Sequence, residues 1–298
     1  MGTIEEAVPS SEQEDAEVAV LTPSLEYGRF IEDNILSVLG QRGVSTQHVI
    51  HDGGSTDETL AVLGQYDKEI EWTSEPDSGQ SDALNKALRK GRGRWIGWLN
   101  ADEFYLPGGL AELVHRGEAT SADVVYGDNV FVDERGRVAR LLPQHPFSAL
   151  ILRLYGCYIP SSSAIFRRSS LPAEPWDTSV RMMMDWDLYL RLASQGARFE
   201  KVNYPVGAFR RHQRQVTAQH PQDFRDEYRR LFERYGISPS KRRWGRWLHA
   251  CFKLSSGAYL RQLRARRFHG LSLLWPNDEA GRRTCEALLR ACYGRKGP

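Results

Sequence analysis

Short apolar runs alternate with amphipathic stretches along the first third of the chain. VAVLT (18–22) predicts a strand, and residues 28–41 predict a helix whose apolar face comprises Phe30, Ile31, Ile35, Val38 and Leu39. The alternation continues, with predicted strands at 47–52, 70–75 and 94–99 and predicted helices at 56–66 and 78–91. Apolar strands separated by helices of this length indicate parallel strands with right-handed crossovers, as in a doubly wound α/β sheet.

The pattern changes after residue 121. Residues 122–142 predict a hairpin that turns at Glu134 to Gly136, which makes the mainly parallel sheet mixed. Later segments predict a helix at 185–196 and strands at 197–202 and 207–212, and the chain becomes helical and basic after Pro239. We therefore expect three regions: a disordered acidic tail at 1–16, a folded α/β domain at 17–238 and a helical basic C-terminal region at 239–298.

The composition is typical of a soluble globular protein. Of the 298 residues, 41% are hydrophobic and 26% charged, and no run approaches the ~20 apolar residues of a membrane-spanning helix. The N-terminal segment is acidic and lacks the basic and apolar parts of a signal peptide, and the four cysteines show no CxxC spacing. These features favour a cytoplasmic protein with reduced thiols.

The net charge of +2 is unevenly distributed. Residues 240–298 hold fourteen Lys or Arg against three acids, a charge of +11, so the remainder carries −9. This division predicts two functional surfaces, with the basic end facing an anionic partner.

Polar and acidic side chains follow the predicted strand ends, where doubly wound sheets bind ligands. They are Asp52, Asp77, Asn100, Asp102 and Glu103. Adjacent carboxylates at a core edge need a counter-charge, and neither GxGxxG after the first strand nor GxxxxGK[ST] is present. We therefore predict a divalent cation, Mn²⁺ or Mg²⁺, that arrives with a diphosphate. Asp52 can accept a hydrogen bond from the imide N–H of uracil or thymine.

Six segments, in order, resemble glycosyltransferase family 2, whose members have the GT-A nucleotide-sugar fold: TPSLEYGRFIEDNILSVLGQ, HDGGSTDET, EPDSGQSDALNKAL, WLNADE, IFRRS and MDWDLYLRLA. The resemblance covers about 18–212. It implies a doubly wound, mixed but mainly parallel GT-A sheet, to which this chain adds the helical basic extension. It also implies transfer of a sugar, with inversion, from a nucleoside-diphosphate sugar to an acceptor hydroxyl. The setting would be synthesis of a bacterial-type glycan, glycolipid or glycosylated metabolite, with UDP or dTDP favoured over GDP.

The resemblance assigns roles to individual residues. Those around the donor nucleotide would be Thr22, Pro23, Ser24, Glu26, Asp52, Asp77, Gly79, Gln80, Asp82 and Asn100. Asp52 would read the pyrimidine edge, and Asp77 would hold the base or ribose. Asp102 would bind the metal with Glu103 and His212, while Asp185 would remove the proton of the acceptor hydroxyl. The chain departs from the family at Glu26 (commonly Asn), Glu103 (commonly Asp) and Ser161 (commonly Gln).

Several alternatives stay open on the residues alone. Asp52 can be a turn residue, His212 can be structural, and Asp187 can replace Asp185 as base or simply pair with Arg191. A non-catalytic sugar-nucleotide binder is the second hypothesis. A nucleotidyltransferase is the third and would need a basic residue such as Arg29 on the triphosphate.

The basic end has its own alternatives. In 241–268, Trp244, Trp247, Leu248 and Cys251 share one helical face, flanked by arginines. This pattern predicts peripheral contact with an anionic membrane on its inner face. The alternatives are packing of both tryptophans on the catalytic domain, or binding of a soluble phosphate-bearing acceptor. No nucleic-acid partner is expected, because no recognised binding module accompanies the charge.

Overall fold

The computed structural model describes residues 16–215, 219–275 and 278–295. Within them, nine strands form one mixed sheet. The strands are β1 (Val18–Ser24), β2 (Thr46–Asp52), β3 (Glu71–Ser74), β4 (Trp95–Trp98), β5 (Phe104–Tyr105), β6 (Val124–Val132), β7 (Val138–Leu142), β8 (Ala164–Arg167) and β9 (Phe199–Arg210). Their order is β3-β2-β1-β4-β8-β6-β9-β5, and β7 pairs with β6.

The first four strands confirm the predicted doubly wound half. β3, β2, β1 and β4 are parallel neighbours, and Ser24, Asp52 and Ser74 lie in register across three of them. Their carboxyl ends therefore form one rim of the sheet, and the strand order reverses between β1 and β4, where sheets of this kind bind ligands. The hairpin of β6 and β7 is also confirmed, and antiparallel pairing of β8 with β4 and β6 makes the sheet mixed.

Helices cover the sheet and continue beyond it. They are α1 (Gly28–Leu39), α2 (Thr59–Gln65), α3 (Gln80–Lys90), α4 (Gly109–Thr120), α5 (Ala149–Tyr155), α6 (Met184–Ser194), α7 (Pro221–Arg234), α8 (Arg242–Ser255), α9 (Ala258–Ala265) and α10 (Glu279–Tyr293). The sequence pattern did not predict β5, α4 or α5. Among the described residues, none of the helices combines the length and the apolar character needed to cross a bilayer.

Two predicted strands form a single one. The predictions at 197–202 and 207–212 merge into β9, which pairs with β6 through a register irregularity where Asp128 lies opposite Pro205. Proline has no N–H for the ladder, so it is tolerated at such an irregularity rather than ending the strand. The predicted division of this segment into two strands was therefore wrong.

The C-terminal helices share a core with the α/β domain. Phe268, Leu273 and Leu288 pack in one apolar cluster with Phe104 and Val130. The helical character predicted after Pro239 is confirmed, and the proposed boundary at 238/239 does not coincide with a break in packing. The predicted acidic tail, 1–16, lies outside the described residues except for Ala16.

Candidate active site at the carboxyl ends of the strands

Asp102 and His212 form a close pair at the rim. Asp102 Oδ2 lies 2.8 Å from His212 Nε2, and only 7% and 1% of the two side chains are exposed. Two ligands at 2.0–2.1 Å from one octahedral ion are about 3 Å apart, so this spacing fits a shared divalent cation. The described residues contain no group of three or more His, Cys, Asp or Glu that could hold a metal alone. A cation here would need further ligands, which donor phosphates can supply.

Arg210 holds the turn that carries Asp102. It lies at the end of β9 and is 2% exposed. Its guanidinium donates to the backbone oxygens of Asp102 and Glu134 and to Asp33 Oδ2, at 3.0, 2.8 and 2.6 Å. The sequence analysis gave Arg210 no role, although a charged residue ending an apolar strand was an available signal.

Glu103 is not brought to this pair. It is 1% exposed, and its Oε2 accepts a hydrogen bond from the backbone N–H of Asn100 at 3.3 Å, while Oε1 has no partner among the described residues. Burial, with the charges of Asp102 and Asp185, raises the pKa of Glu103 well above its usual range. The negative charges of Asp102 and Asp185 therefore both disfavour ionisation of this carboxyl group.

Asn100 connects β4 to the start of α3. Its Oδ1 accepts hydrogen bonds from Gln80 Nε2 at 2.5 Å and Trp98 Nε1 at 2.8 Å. The next residue in α3, Ser81, donates to the carbonyl of Val180, just before α6. The donor side of the rim is therefore joined to the helix that carries Asp185.

Asp52 is fully buried and its carboxylate is occupied. Oδ2 accepts from the N–H groups of Gly54 and Ser55 and from Ser74 Oγ at 2.8–3.0 Å, and Oδ1 accepts from Ser55 Oγ at 2.5 Å. This geometry is that of the turn residue we considered as the alternative. Glu26 supports the same loop by accepting from Thr56, and its φ of 61° lies in the left-handed region, which Asn adopts more readily than Glu.

Asp77 presents a less occupied carboxylate. Oδ1 accepts from the N–H of Gly79 at 2.8 Å, whereas Oδ2 lies 3.8 Å from His51 Nε2. A Cβ on residue 53 would lie 2.8 Å from Oδ2, so the glycine at this position leaves room for the carboxylate. His51 Nε2 and the nearby Ser24 Oγ are buried with no partner among the described residues. Unpartnered buried polar atoms at this rim are suited to a polar ligand.

Other predicted donor residues lie where they support the scaffold. Thr22 points into the interior, its Oγ1 3.0 Å from His48 Nε2, and Pro23 is buried opposite His51 in the sheet. Asp82 accepts from the N–H of Ser78 and lies 3.5 Å from Lys86 at the start of α3. These contacts match those of helix capping and of an i,i+4 pair.

Asp185 lies at the start of α6. Its Oδ1 accepts from the N–H of Trp186 at 2.7 Å, and its Oδ2 accepts from Cys157 Sγ at 3.3 Å. Burial raises the pKa of Asp185 to about 6, although both hydrogen bonds act in the opposite direction. A carboxylate with this proton affinity suits a base that works near neutral pH.

Asp187 is in a different environment, two residues away. It is fully buried, and it accepts from Arg191 Nε at 2.8 Å, Arg234 Nη1 at 3.2 Å and Tyr235 Oη at 2.5 Å. The predicted pairing of Asp187 with Arg191 is confirmed. Its oxygens are engaged by the protein itself, which favours Asp185 for chemistry.

Glu227, which the sequence analysis missed, holds the segment before α6. It is 4% exposed on α7, and its carboxylate accepts from the backbone N–H groups of Arg181, Met182 and Met183, each at 2.8 Å. Its signal in the sequence was an acid on an otherwise apolar helical face with Tyr228 and Leu231. Ser161 is buried in the short 3-10 turn before β8.

The sequence profile of the family described as Glycosyl transferase family 2 matches residues 19–172, just over half of the chain. A putative teichuronic acid biosynthesis glycosyltransferase of Bacillus subtilis is 39% identical over 90 residues, which cover 29% of this chain and 36% of the relative. A PGL/p-HBAD biosynthesis glycosyltransferase of Mycobacterium bovis is 27% identical over 187 residues, which cover 60% of this chain and 70% of the relative. The chain thus spans about a third of the first relative.

Solved structures share the architecture. A mannosyltransferase from Pyrobaculum calidifontis, in complex with GDP-Man and Mn²⁺, has a TM-score of 0.57 and 18% identity over 96% of this chain and 77% of that one. Identity this low shows the fold alone, and that fold is the GT-A fold expected from the sequence.

Proposed function

Because the chain belongs to glycosyltransferase family 2, we propose that it moves a sugar from a nucleoside-diphosphate sugar to an acceptor hydroxyl. The observation that carries this proposal is the Asp102–His212 pair, whose 2.8 Å spacing fits a divalent cation on the rim that also carries Asp77 and Asn100. Both relatives described above are named glycosyltransferases, which supports the same activity. Synthesis of a glycan, glycolipid or glycosylated metabolite, and a cytoplasmic location, stay predictions.

The donor would lie along the carboxyl ends of β1 to β4. We propose that the nucleobase of the donor binds at three polar atoms that have no hydrogen-bond partner among the described residues: Asp77 Oδ2, His51 Nε2 and Ser24 Oγ. Asp77 rather than Asp52 then accepts the imide N–H, since the Asp52 carboxylate is occupied by its own loop. A UDP or dTDP donor fits this acceptor. Gly79, Gln80 and Asn100 line the path from the base toward the sugar.

Asp102 and His212 would hold Mn²⁺ or Mg²⁺, which when bound would neutralise charge on the departing diphosphate. The Mn²⁺ in the Pyrobaculum mannosyltransferase supports this assignment. In this proposal Arg210 and Glu103 support the turn rather than bind the cation. Arg210 fixes the backbone of Asp102, and Glu103 accepts a hydrogen bond from the backbone N–H of Asn100.

Asp185 would accept the proton of the acceptor hydroxyl. Its ionised form would withdraw that proton as the hydroxyl oxygen attacks the anomeric carbon from the face opposite the diphosphate, which inverts the configuration. Two hydrogen bonds orient the carboxylate, from the N–H of Trp186 and from Cys157. The oxygens of Asp187 are engaged by Arg191, Arg234 and Tyr235, so this carboxylate is not available to the acceptor.

The experiment is a panel of UDP, dTDP and GDP sugars with Mn²⁺, measured first by thermal shift and then by release of the nucleoside diphosphate. A ligand at one hundred times its dissociation constant stabilises by ~2.7 kcal/mol, so a true donor will raise the melting temperature only with the metal present. Release of diphosphate that increases with added acceptor supports transfer. Metal-dependent binding of a sugar nucleotide with no turnover for any acceptor, in a protein whose Asp185→Asn variant binds equally, would favour the non-catalytic binder.

A further inference from the structure

An apolar stripe lies exposed along α8. Trp244, Trp247 and Leu254 are 66%, 60% and 71% exposed, and Cys251 is exposed between them. These residues are spaced i, i+3, i+7 and i+10, so they share one helical face. The predicted face contained Leu248 in place of Leu254. Leu248 is instead partly buried against the main core, and the two indoles do not pack on the domain.

The opposite face of α8 is firmly attached. Gly245 lies against α5 so closely that a Cβ would be 2.5 Å from the carbonyl carbon of Leu154. His249 stacks on Tyr155 with ring centroids 3.9 Å apart, and Lys253 is 5% exposed. The orientation of α8 is therefore fixed by its buried face, and the tryptophans are held outward.

The neighbouring helix α9 extends the exposed apolar surface. Tyr259, Leu260 and Leu263 are 45%, 51% and 58% exposed, and α9 contacts α8. We call the seven exposed residues the interfacial face: Trp244, Trp247, Cys251, Leu254, Tyr259, Leu260 and Leu263. A connected apolar surface on a charged protein indicates a contact site.

The rim of this face is cationic. Its exposed basic residues are Lys241, Arg243, Arg246, Arg264, Arg266 and Arg267. Within the described part of the chain, none of them lies within ion-pair distance of a carboxylate. The positive charge at this end is thus free to meet an external anion.

We propose that the interfacial face docks on an anionic lipid bilayer. Indole and leucine side chains would enter the headgroup boundary, while the arginine rim would meet the lipid phosphates. A second copy of this chain fits less well, because a symmetric contact would bring two cationic rims together. The proposal concerns a surface outside the catalytic residues and does not rest on the proposed function.

The helix that carries the interfacial face is connected through α5 to Asp185, the proposed proton acceptor. α8 packs on α5, and Cys157, two residues beyond α5, donates to Asp185.

The test is co-sedimentation of the full chain with vesicles of phosphatidylcholine containing increasing phosphatidylglycerol, at low and high salt. We expect binding that rises with anionic lipid and falls with salt, accompanied by a blue shift of tryptophan fluorescence. Trp244→Ser with Trp247→Ser should weaken binding by at least ~10-fold, and Arg243→Gln or Arg246→Gln by about five-fold each. Because all four residues are exposed, the melting temperature should not change.

Matched controls lie on another part of the surface. Leu39 and Arg42 are exposed near the end of α1, and Leu39→Ser and Arg42→Gln should bind vesicles as the unaltered protein does. The proposal is overturned if binding ignores anionic content, or if the tryptophan variant binds unchanged. Self-association in solution that disappears in the tryptophan variant, without vesicle binding, would assign the face to a second copy instead.

Discussion

The two sides of the candidate site are held by different kinds of contact. Where the nucleobase would lie, the carboxylates accept mainly from residues two or three positions away: Asp52 from Gly54 and Ser55, and Asp77 from Gly79. Ser74 is a remote partner of Asp52, 22 positions away. On the acceptor side the partners are remote. Asp185 is contacted by Cys157, 28 positions earlier, and Glu227 holds residues 44 to 46 positions before it. The loops that carry Asp52 and Asp77 are held mainly by local turns, whereas the acceptor side depends on the docking of α5, α7 and α8. The cation pair of Asp102 and His212 also joins remote residues, 110 positions apart.

This difference separates donor binding from sugar transfer. Local turns keep the loops of Asp52 and Asp77 organised even when distant helices shift, so donor binding should tolerate changes in α7 and α8. The base depends on helices that pack from far along the chain, so the same changes should reduce transfer. Variants that affect one property without the other can test this division.

The largest expected effect follows replacement of the base. Asp185→Asn removes the proton acceptor while keeping the shape of the side chain, and transfer should fall by at least ~10²-fold with donor affinity unchanged. Initial rates of diphosphate release with saturating donor measure the first quantity, and calorimetric titration with the donor measures the second.

Asp187→Asn is the matched control. It leaves Arg191 without its carboxylate partner and Arg234 with Asp177 as its charged partner, and because both arginines are partly exposed the loss of stability should be about 1–2 kcal/mol. Turnover per folded molecule should persist. Loss of transfer in Asp187→Asn, with Asp185→Asn active, would move the base to Asp187.

The second effect concerns the cation on the nucleotide side. Asp102→Asn removes the anionic member of the pair, and the Mn²⁺ concentration needed for half-maximal donor binding should rise at least ~10-fold. Glu103→Gln should raise it much less, because that carboxylate faces the N–H of Asn100 rather than His212. Manganese titration of donor-induced thermal shift measures both. Equal effects of the two variants would place Glu103 on the metal.

Much of the nucleotide side could be predicted, and the reason is physical. β1 and β4 are apolar runs, and the carboxyl ends of the parallel strands β1 to β4 must meet on one rim, so Asp77, Asn100 and Asp102 all follow strand ends at the same edge of the sheet. The occupancy of Asp52 was not predictable with certainty, because Ser74 reaches it from the next strand. The contacts of Glu227, Arg210 and Cys157 join residues far apart in sequence. A single sequence gives no signal for such pairing beyond a charged residue on an apolar face.

The third effect distinguishes the two acids of the nucleotide side. Asp77→Asn keeps an acceptor for Gly79 but replaces the free oxygen by an N–H₂ group, which cannot accept an imide proton. The donor KM should rise about 10-fold with a small loss of stability. Asp52→Asn should mainly lower the melting temperature, since it disturbs three hydrogen bonds of its own loop and one from Ser74 on β3. If Asp52→Asn raised the donor KM and Asp77→Asn mainly lowered the melting temperature, Asp52 would be the residue that accepts from the nucleobase.

A smaller effect should follow a change on α7. Glu227→Gln keeps one acceptor oxygen but turns a donor toward the backbone N–H of one neighbour, so the segment before α6 loses a hydrogen bond. We expect about 1–2 kcal/mol less stability and a several-fold lower kcat at unchanged donor KM. Glu233→Gln, an exposed site on the same helix, should change neither. A change in donor KM alone would contradict the division between the two sides.

The smallest effect is a displaced pH profile. Because the pKa of Asp185 is raised to about 6, the base loses its charge below that pH, and transfer should fall as the pH drops through 6. Cys157 donates to the ionised carboxylate and so lowers this pKa. Cys157→Ala removes that stabilisation, and a neutral hydrogen bond contributes about 1 kcal/mol, so the acidic limb of kcat should move upward by about 0.7 pH units. Cys157→Ser retains a donor and should keep the limb near its original position, and Cys251→Ala, at an exposed site, should not move it. A limb that stays fixed in Cys157→Ala, or that moves downward, would show that the thiol does not act on the Asp185 carboxylate, which would then be oriented by the N–H of Trp186.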